Sequence, residues 1–371
     1  MIIGIAKEIK NNEYRVACHP DGVKELIVNG NEVLVERDAG IGSGYSNEEY
    51  EQAGAKIIDT AKELFEKSEL IYKVKEILPE EYDYMREDLI VFTYIHSNAH
   101  RDQTDMLLDK KVIGIAYEDI IDDYGEYPLL KPMSIIAGKG GFIAGVKYME
   151  RINGGQGLLL ADVPGVKKPH VTIIGAGNSG IGAAELAIGW GCDVSILDIN
   201  SKKLEDTREY LKGPEYLISN QANITMCLKK TDLLINCILW PKWREDHLIN
   251  KDMLSLMKRG SMIVDVACDD HGAIETTHST SHDDPIYHEE GILHYAVDNI
   301  PSSFSRTATM TLVNATLPKV IEIGKYGVKE AMRKDKHLRQ GLTSYRGMLT
   351  LEETGLKQDR PYVTPEEALG L

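Results

Sequence analysis

"VTIIGAGNSGIGAAELA", residues 171–187, is the stretch that decides the fold. Its apolar start, through Ile174, predicts a buried strand, and the alanine-rich end predicts a helix. Between them Gly175, Gly177 and Gly180 stand in the order G-x-G-x-x-G. Gly175 permits a tight turn, Gly177 lets a pyrophosphate approach the backbone, and Gly180 lets the helix sit close to the strand. The helix N-terminus adds free N–H groups and a partial positive charge. The next predicted strand, "DVSILDIN" (193–200), ends at Asp198, near the offset of about 20 residues where a carboxylate meets ribose hydroxyls. A carboxylate there repels a 2′-phosphate, so NAD is expected over NADP, with Lys202 and Lys203 leaving NADP open. Asn178 and Ser179 inside the fingerprint, with Lys203, Ser219 and Leu239, complete the expected set of cofactor contacts around it.

Outward from this unit, strand-like and helix-like segments alternate in both directions. Before it come "MIIGIA", "GVKELIVNG", "NEVLVER", "TAKELFEK", "LIYKVK", "DLIVFTYIH", "QTDMLLDK" and "VIGIAYE". After it come "TDLLINCIL", "SMIVDVA" and "ILHYAVDN". This rhythm predicts βα units on mostly parallel sheets. Residues 133–151 are helix-compatible, and the glycine-rich stretch after them is expected to be a loop or boundary. "TATMTLVNATLPKVIEIGKYG" (307–327) predicts a long amphipathic helix with Pro318 inside it, a candidate kink. The tail beyond Met348 is weakly patterned.

At 371 residues the chain is longer than one typical core, so two domains are expected. The fold class is therefore α/β, with mostly parallel sheets. A net charge of −16 argues against nucleic acid or an anionic membrane as partner. Five scattered cysteines without a C-x-x-C pair fit a reduced compartment, and the N-terminal "MIIGIAKEIKNNEYR" reads as a first core strand rather than a leader. A cytoplasmic protein is expected.

The first domain holds the polar signals for chemistry. In "LIYKVKE" (70–76), alternation puts Lys73 and Lys75 on one strand face with Ile71. Arg15 follows "NNEY". Phe92, Tyr94 and His96 share a face at the end of "DLIVFTYIH". Open α/β sheets bind ligands at the carboxyl ends of their strands, so these groups could converge. An anionic substrate calls for arginine or lysine, and proton transfer near neutrality calls for histidine. On spacing alone the alternatives stay open: a solvated strand-end lysine, a boundary histidine and an arginine in an ordinary surface ion pair.

With "KEIKNNEYRVA", "GSGYS", "KVKE", "FTYIH", "PMS", "DVPGV", the glycine fingerprint, "LDIN", "NATLPKV" and "YRG" in order, the chain resembles the alanine dehydrogenases over nearly its whole length. The wider family includes the NAD-binding subunit of proton-translocating transhydrogenase. The resemblance implies an α/β fold of two Rossmann-like domains with mostly parallel sheets and a cleft between them: 1–130 completed by the C-terminal residues 305–371 as the substrate domain, and 131–304 as the NAD-binding domain. It also implies reversible NAD-dependent oxidative deamination of L-alanine to pyruvate and ammonia by a homohexamer. It puts the substrate-carboxylate arginine on Arg15, the substrate lysine on Lys75, the acid/base histidine on His96 and a catalytic aspartate on Asp269. Lys73 is then expected to support Lys75. The resemblance also puts Met133 and Tyr94 at the substrate, Ser134 at the cofactor, and Asp269 and Asn299 where both are in reach.

Several positions depart from the family pattern. Ile135 replaces a carboxylate in "MSIIAGK", and "CILWPKW" brings Trp240, Lys242 and Trp243. "DDHG" brings Asp270 and His271, "DNIP" brings Asp298, and "SNAH" (97–100) replaces an apolar–alanine run. Drift at an unconstrained rim is one reading. A changed substrate is the other, including opine- or saccharopine-type reductive condensation of a 2-oxo acid with an amino acid. A non-catalytic or transhydrogenase-like component is a third possibility of another class. In "DDHGAIETTHSTSHDD" (269–284) the ligand types Asp269, Asp270, His271, Glu275, His278 and His282 fit no standard zinc spacing, so no metal is expected.

Overall fold

The structure, a computed structural model, describes residues 1–241, 244–268 and 271–371. In chain order the first elements are β1 (Ile2–Ile5), α1 (Pro20–Val28), β2 (Glu32–Glu36), α2 (Asn47–Gln52), β3 (Lys56–Ile58), α3 (Ala61–Lys67), β4 (Leu70–Tyr72), β5 (Ile90–Thr93), α4 (Arg101–Asp109) and β6 (Ile113–Ala116). Next come α5 (Lys131–Tyr148), β7 (His170–Ile174), α6 (Asn178–Gly189), β8 (Asp193–Asp198), α7 (Ser201–Tyr210), β9 (Glu215–Ile218), α8 (Gln221–Leu228), β10 (Leu233–Asn236), β11 (Met262–Asp265), β12 (Ile286–Glu289) and β13 (Ile292–Tyr295). The chain ends with α9 (Ser305–Tyr326), α10 (Val328–Lys334), α11 (Lys336–Gln340), β14 (Leu342–Tyr345), β15 (Met348–Leu349), α12 (Glu352–Gln358) and α13 (Pro365–Leu369). The chain divides into two compact units, Met1–Pro132 with Ser305–Leu371, and Met133–Phe304.

In the first unit the strand order is β15-β14-β6-β5-β4-β1-β2-β3, parallel from β6 to β3. In the second it is β12-β13-β11-β10-β7-β8-β9, with only β12 antiparallel among the described strands. Each sheet thus runs outward in both directions from its first strand, β1 or β7. The order reverses between β1 and β4, and between β7 and β10. Ligands of open α/β sheets bind at the carboxyl ends beside such a reversal. The two-unit α/β fold expected from the alternation is present.

The sequence explains the elements. The central strands are continuous apolar runs because helices cover both sheet faces, and Ile3, Ile5, Val91, Ile173, Ile235 and Val264 are fully buried. Helix starts carry their caps: Ser46 and Glu49 form a capping box on α2, and Asn200 accepts from the Lys203 N–H on α7. Pro318 lies within α9, which continues through it. The weakly patterned tail is ordered: β14 adds an antiparallel edge beside β6, with Leu342 opposite Ile115. Its strands are too short to signal themselves without that pairing.

The strand predicted over "LIYKVK" stops at Tyr72. Lys73 turns inward and its side chain is 1% exposed. Its Nζ lies 2.5 Å from Glu81 Oε1 and 3.5 Å from Glu8 Oε2. Burial disfavours the ammonium, but these two carboxylates raise its pKa above the ordinary lysine value. Lys75 is closer to the surface, 11% exposed, with Nζ 3.5 Å from Glu76 Oε2. The two lysines therefore differ in environment, which alternation could not reveal.

Two consequences are measurable by denaturant unfolding. Lys73→Met strands two buried carboxylates and should cost about 3–5 kcal/mol; an unchanged stability would contradict the pairing. A Cβ at Gly180 would sit 1.8 Å from the Gly175 carbonyl oxygen, so Gly180→Ala must displace backbone and should cost about 1–3 kcal/mol. A neutral Gly180→Ala would show that α6 is not held this close to β7.

Candidate functional site

In the first unit, the carboxyl ends of β1, β4, β5 and β6 carry the candidate groups. Glu8, beyond β1, accepts the Val74 N–H at 2.6 Å and the Lys75 N–H at 3.4 Å. It thereby ties the segment bearing Lys75 to β1. Arg15 is buried, and Glu13 accepts from its Nε at 2.7 Å and its Nη2 at 2.5 Å. This paired geometry fixes the guanidinium plane. Burial works against the charge of Arg15, yet Glu13, with help from Tyr94 and Glu8, raises its pKa. The pair helps wall a cavity of about 690 Å³ that Lys7, Glu8 and Asp38 also line.

His96 lies three residues past the end of β5, beyond the strand expected to close on it, with φ of +51°. The Tyr94 ring stacks on its imidazole at 5.9 Å and 8° between planes. The Tyr94 hydroxyl donates to the Leu129 carbonyl at 2.8 Å. Glu118, just beyond β6, accepts the N–H groups of Ile95 and His96 and lies 3.6 Å from His96 Nδ1. Gln103 Nε2 donates to the Ile95 carbonyl at 2.7 Å, and Gln103 Oε1 accepts from the Ile77 N–H at 2.7 Å. One amide thus joins the segments that carry Lys75 and His96.

Burial, then the Lys75 ammonium, lower the His96 pKa to about 4. The imidazole is therefore neutral at pH 7, a proton acceptor. Burial lifts Glu118 to about 7 against its backbone donors, and burial lifts Glu8 to about 7 despite Lys73. Burial also pushes Glu76 upward, but Lys75 and Lys10 outweigh it and hold the carboxyl at about 2. Lys10 donates to Glu76 at 2.7 Å. A cation, a carboxylate and a second cation thus lead to the neutral histidine.

In the second unit six of the expected cofactor residues line one cavity beside the strand-order reversal. Gly175 has φ of +103°, and Gly177 caps α6 with no side-chain cap bond. A Cβ at Gly177 would meet only Lys203 Nζ, at 3.8 Å. Asp198 Oδ2 accepts the Ala176 N–H at 2.8 Å. Gly175, Gly177, Asp198, Lys203, Ser219 and Leu239 line one cavity of about 610 Å³. The open backbone, the free helix N-terminus and the strand-end carboxylate fit a dinucleotide. Lys202 turns away to Asp206 at 2.6 Å. Asn178, Ser179 and Gly180 begin α6 behind the turn.

Ser134 and Asn299 are not among the described residues lining that cavity. Met133 is buried near the start of α5, beside Ser134. Ile135 follows on the same helix, and its carbonyl lies 2.8 Å from where a Gly182 Cβ would stand. Asn299 has φ of +82°, and His282 Nε2 donates to its carbonyl at 3.1 Å. Asp298 follows the isolated bridge between Thr280 and Val297, its N–H donating to the Thr280 carbonyl at 3.0 Å. Asp269, Asp270, Lys242 and Trp243 lie outside the described residues. Of the departures, Trp240 donates through Nε1 to the Asp246 carbonyl at 2.7 Å, under the Arg244 guanidinium at 4.3 Å. His271 has φ of +58°. Among the described residues no group of three or more His, Cys, Asp or Glu side chains is placed to hold a metal ion.

Glu8, Glu13, Gln103 and Glu118 were not singled out in the sequence. Glu118 was findable, since it follows the apolar run "VIGIAY" at a strand's carboxyl end, as His96 does.

Profiles of the alanine dehydrogenase/PNT N-terminal and C-terminal domains match residues 4–137 and 141–352. An alanine dehydrogenase of Methanococcus maripaludis is 44% identical over 371 residues, the whole of both chains. One from Bacillus subtilis is 45% identical over all of this chain and 98% of its own. A solved L-alanine dehydrogenase superposes with TM-score 0.92 at 41% identity, covering 97% of this chain and 99% of that one. A transhydrogenase from Sinorhizobium meliloti, at 22% identity and TM-score 0.83, shares the fold. Both domains match in order, and the chain belongs to the alanine dehydrogenase/PNT family.

Proposed function

We propose that the chain catalyses the reversible NAD-dependent oxidation of L-alanine and water to pyruvate and ammonia. The observation that carries this is a neutral histidine joined through Gln103 to a segment bearing a lysine, with a carboxylate-paired arginine on the same sheet edge. Full-length identity to alanine dehydrogenases supports the substrate. The unit Met1–Pro132 with Ser305–Leu371 is the substrate domain in this reading, and Met133–Phe304 the dinucleotide domain.

When bound, NAD supplies the acceptor for the hydride of the amino acid. Gly175, Gly177, Asn178, Ser179 and Gly180 would hold its pyrophosphate, and Asp198 the ribose. Ser134, Lys203, Ser219, Leu239 and Asn299 would complete its contacts. Arg15 binds the substrate carboxylate, with Glu13 fixing its plane. Lys75 places its positive charge at the carbon that changes hybridisation, where it favours developing negative charge on a keto oxygen. His96, neutral at pH 7, takes the proton released as water adds to the imino carbon, and returns it in the reverse direction. Tyr94 holds the imidazole by stacking, Met133 forms an apolar wall, and Asp269 orients water and amine.

The chain is further proposed to act in the cytoplasm as a homohexamer, in keeping with its resemblance. No described helix is long and apolar enough to cross a membrane. The acidic balance disfavours nucleic acid.

An NADH-oxidation screen of 2-oxo acids, with ammonia and separately with amino acids as amine donor, tests the reading. Pyruvate with ammonia should be the best pair. A requirement for an amino acid would make the reaction a reductive condensation, and dinucleotide binding without any turnover would make the chain a non-catalytic component. His96→Gln and Lys75→Met should each lower kcat by about 10²–10⁴-fold while NAD affinity stays within about twofold; unchanged kcat in either would remove that residue from the mechanism. Lys75→Met also removes the charge that helps hold His96 at about 4. The imidazole titration, followed by NMR, should then rise toward the ordinary histidine value, and a fixed titration would show that Lys75 does not set its basicity.

A further inference from the structure

His96 holds a left-handed backbone, with φ of +51°, a conformation unfavourable for a non-glycine residue. Such a residue persists only where its surroundings over-determine it. Glu118 and Gln103 bind the backbone on the N-terminal side, at Ile95 and His96. On the C-terminal side the local turn contributes, with the Ala99 N–H donating to the His96 carbonyl at 2.9 Å and the His100 N–H to the Ser97 carbonyl at 3.2 Å, and α12 adds side-chain bonds from the far end of the chain. Gln358 Nε2 donates to the Ser97 carbonyl at 2.7 Å. The Thr354 hydroxyl donates to Asn98 Oδ1 at 2.7 Å. Its one proton is thereby used, so the Ser97 hydroxyl donates to Thr354 Oγ1, at 2.6 Å. Arg101 Nη1 reaches the Gln358 carbonyl at 2.9 Å, and Arg360 pairs with Asp105 at 2.5 Å, docking α12 against α4.

These groups are out of water: Thr354 is 0% exposed, Ser97 3% and Gln358 6%. A buried hydroxyl or amide left without a partner is destabilising. The Ser97 hydroxyl and carbonyl lie in a buried residue, so they need answering partners. Thr354 and Gln358 supply them.

We infer that α12 is a positioning element for His96: Thr354 and Gln358 form a buried clasp on residues 97–98 that holds the strained His96 backbone and aims its imidazole. The catalytic meaning rests on His96 being the proton-transfer group proposed above. The charged and titratable groups that face His96 are Glu118 beyond β6, Lys75 and Glu76 beyond β4, Lys10 beyond β1, and His100 of its own segment. The clasp adds no charge to this set, so it acts through geometry.

The test uses the full chain as wild type, Thr354→Val, Thr354→Ser and Gln358→Met. The first readout needs no turnover: the rate and pH dependence of His96 modification by diethyl pyrocarbonate, located by peptide mass spectrometry. The second is kcat, KM and dinucleotide affinity with pyruvate and ammonia. Thr354→Val should speed His96 modification several-fold and lower kcat by about tenfold, equivalent to 1.36 kcal/mol, with dinucleotide affinity within about twofold. Thr354→Ser, which keeps the hydroxyl, should restore both. Should Thr354→Val not fold, Gln358→Met is read in the same way. Wild-type modification and turnover in Thr354→Val would overturn the clasp, as would Thr354→Ser impaired as deeply as Thr354→Val. If the wild type turns over no substrate pair, the proposed function fails, while the modification rates still decide the clasp.

Discussion

A carboxylate at one strand end that accepts the backbone N–H of the neighbouring strand's loop is the interaction on which both candidate sites depend. Glu8 beyond β1 holds Val74 beyond β4, and Glu118 beyond β6 holds Ile95 and His96 beyond β5. Asp198 at the end of β8 holds Ala176 beyond β7; Asp265 at the end of β11 varies the theme, accepting the Asn236 side-chain amide of β10 and the Ala267 and Cys268 N–H groups of its own loop. Parallel strands cannot close on each other by hairpins, so their carboxyl-end loops lack ladder partners. Backbone donors there must still be satisfied when buried. A carboxylate satisfies them with charge-assisted bonds, stronger than neutral ones.

That solution has an electrostatic cost, and the two units meet it differently. In the first unit the carboxylates are deeply buried, and burial raises Glu8 and Glu118 to about 7. Folding therefore binds protons at these groups between their ordinary range and about 7, and their contribution to stability falls as pH rises through that window. His96 works in the opposite sense. Its lowered pKa makes folding release a proton, so its contribution is lost as pH falls from its ordinary value toward about 4. The buried ammonium of Lys73 lets two carboxylates remain in the core without repelling each other apart. In the second unit Asp265 is also buried, and burial raises its pKa, whereas Asp198 is partly solvated and lines an open cavity. Its charge remains available to a ligand.

The parts of this arrangement that were legible in the sequence are local ones. The glycine fingerprint, the strand before it and Asp198 all sit within one βα unit, and each follows from steric or hydrogen-bonding needs of nearby residues. The alternation of strands and helices carried the fold class for the same reason. Lys73 was not legible, because its burial depends on Glu8 and Glu81, which lie in other elements. The ordered tail was not legible either. Short strands such as β15 and a seven-residue α12 gain their stability from packing against distant segments rather than from pattern. In the polar "SNAH", Ser97 and Asn98 meet Thr354 and Gln358 of α12, partners more than 250 residues away that local spacing does not reveal.

Asp198 shows how closely holding the backbone and reading a ligand are joined. Its Oδ2 accepts the Ala176 N–H inside the glycine turn, and its Oδ1 accepts the Asn200 N–H at the start of α7. Each carboxylate oxygen has two lone pairs, so one on each remains for ribose hydroxyls. The residue that would choose between ribose and 2′-phosphate is therefore also the residue that shapes the turn beneath the pyrophosphate. On the proposed function, a neutral or smaller side chain at 198 would relax discrimination and loosen the turn together. Cofactor preference would then belong to the turn, its carboxylate and Lys203 as one unit, rather than to a single recognition contact.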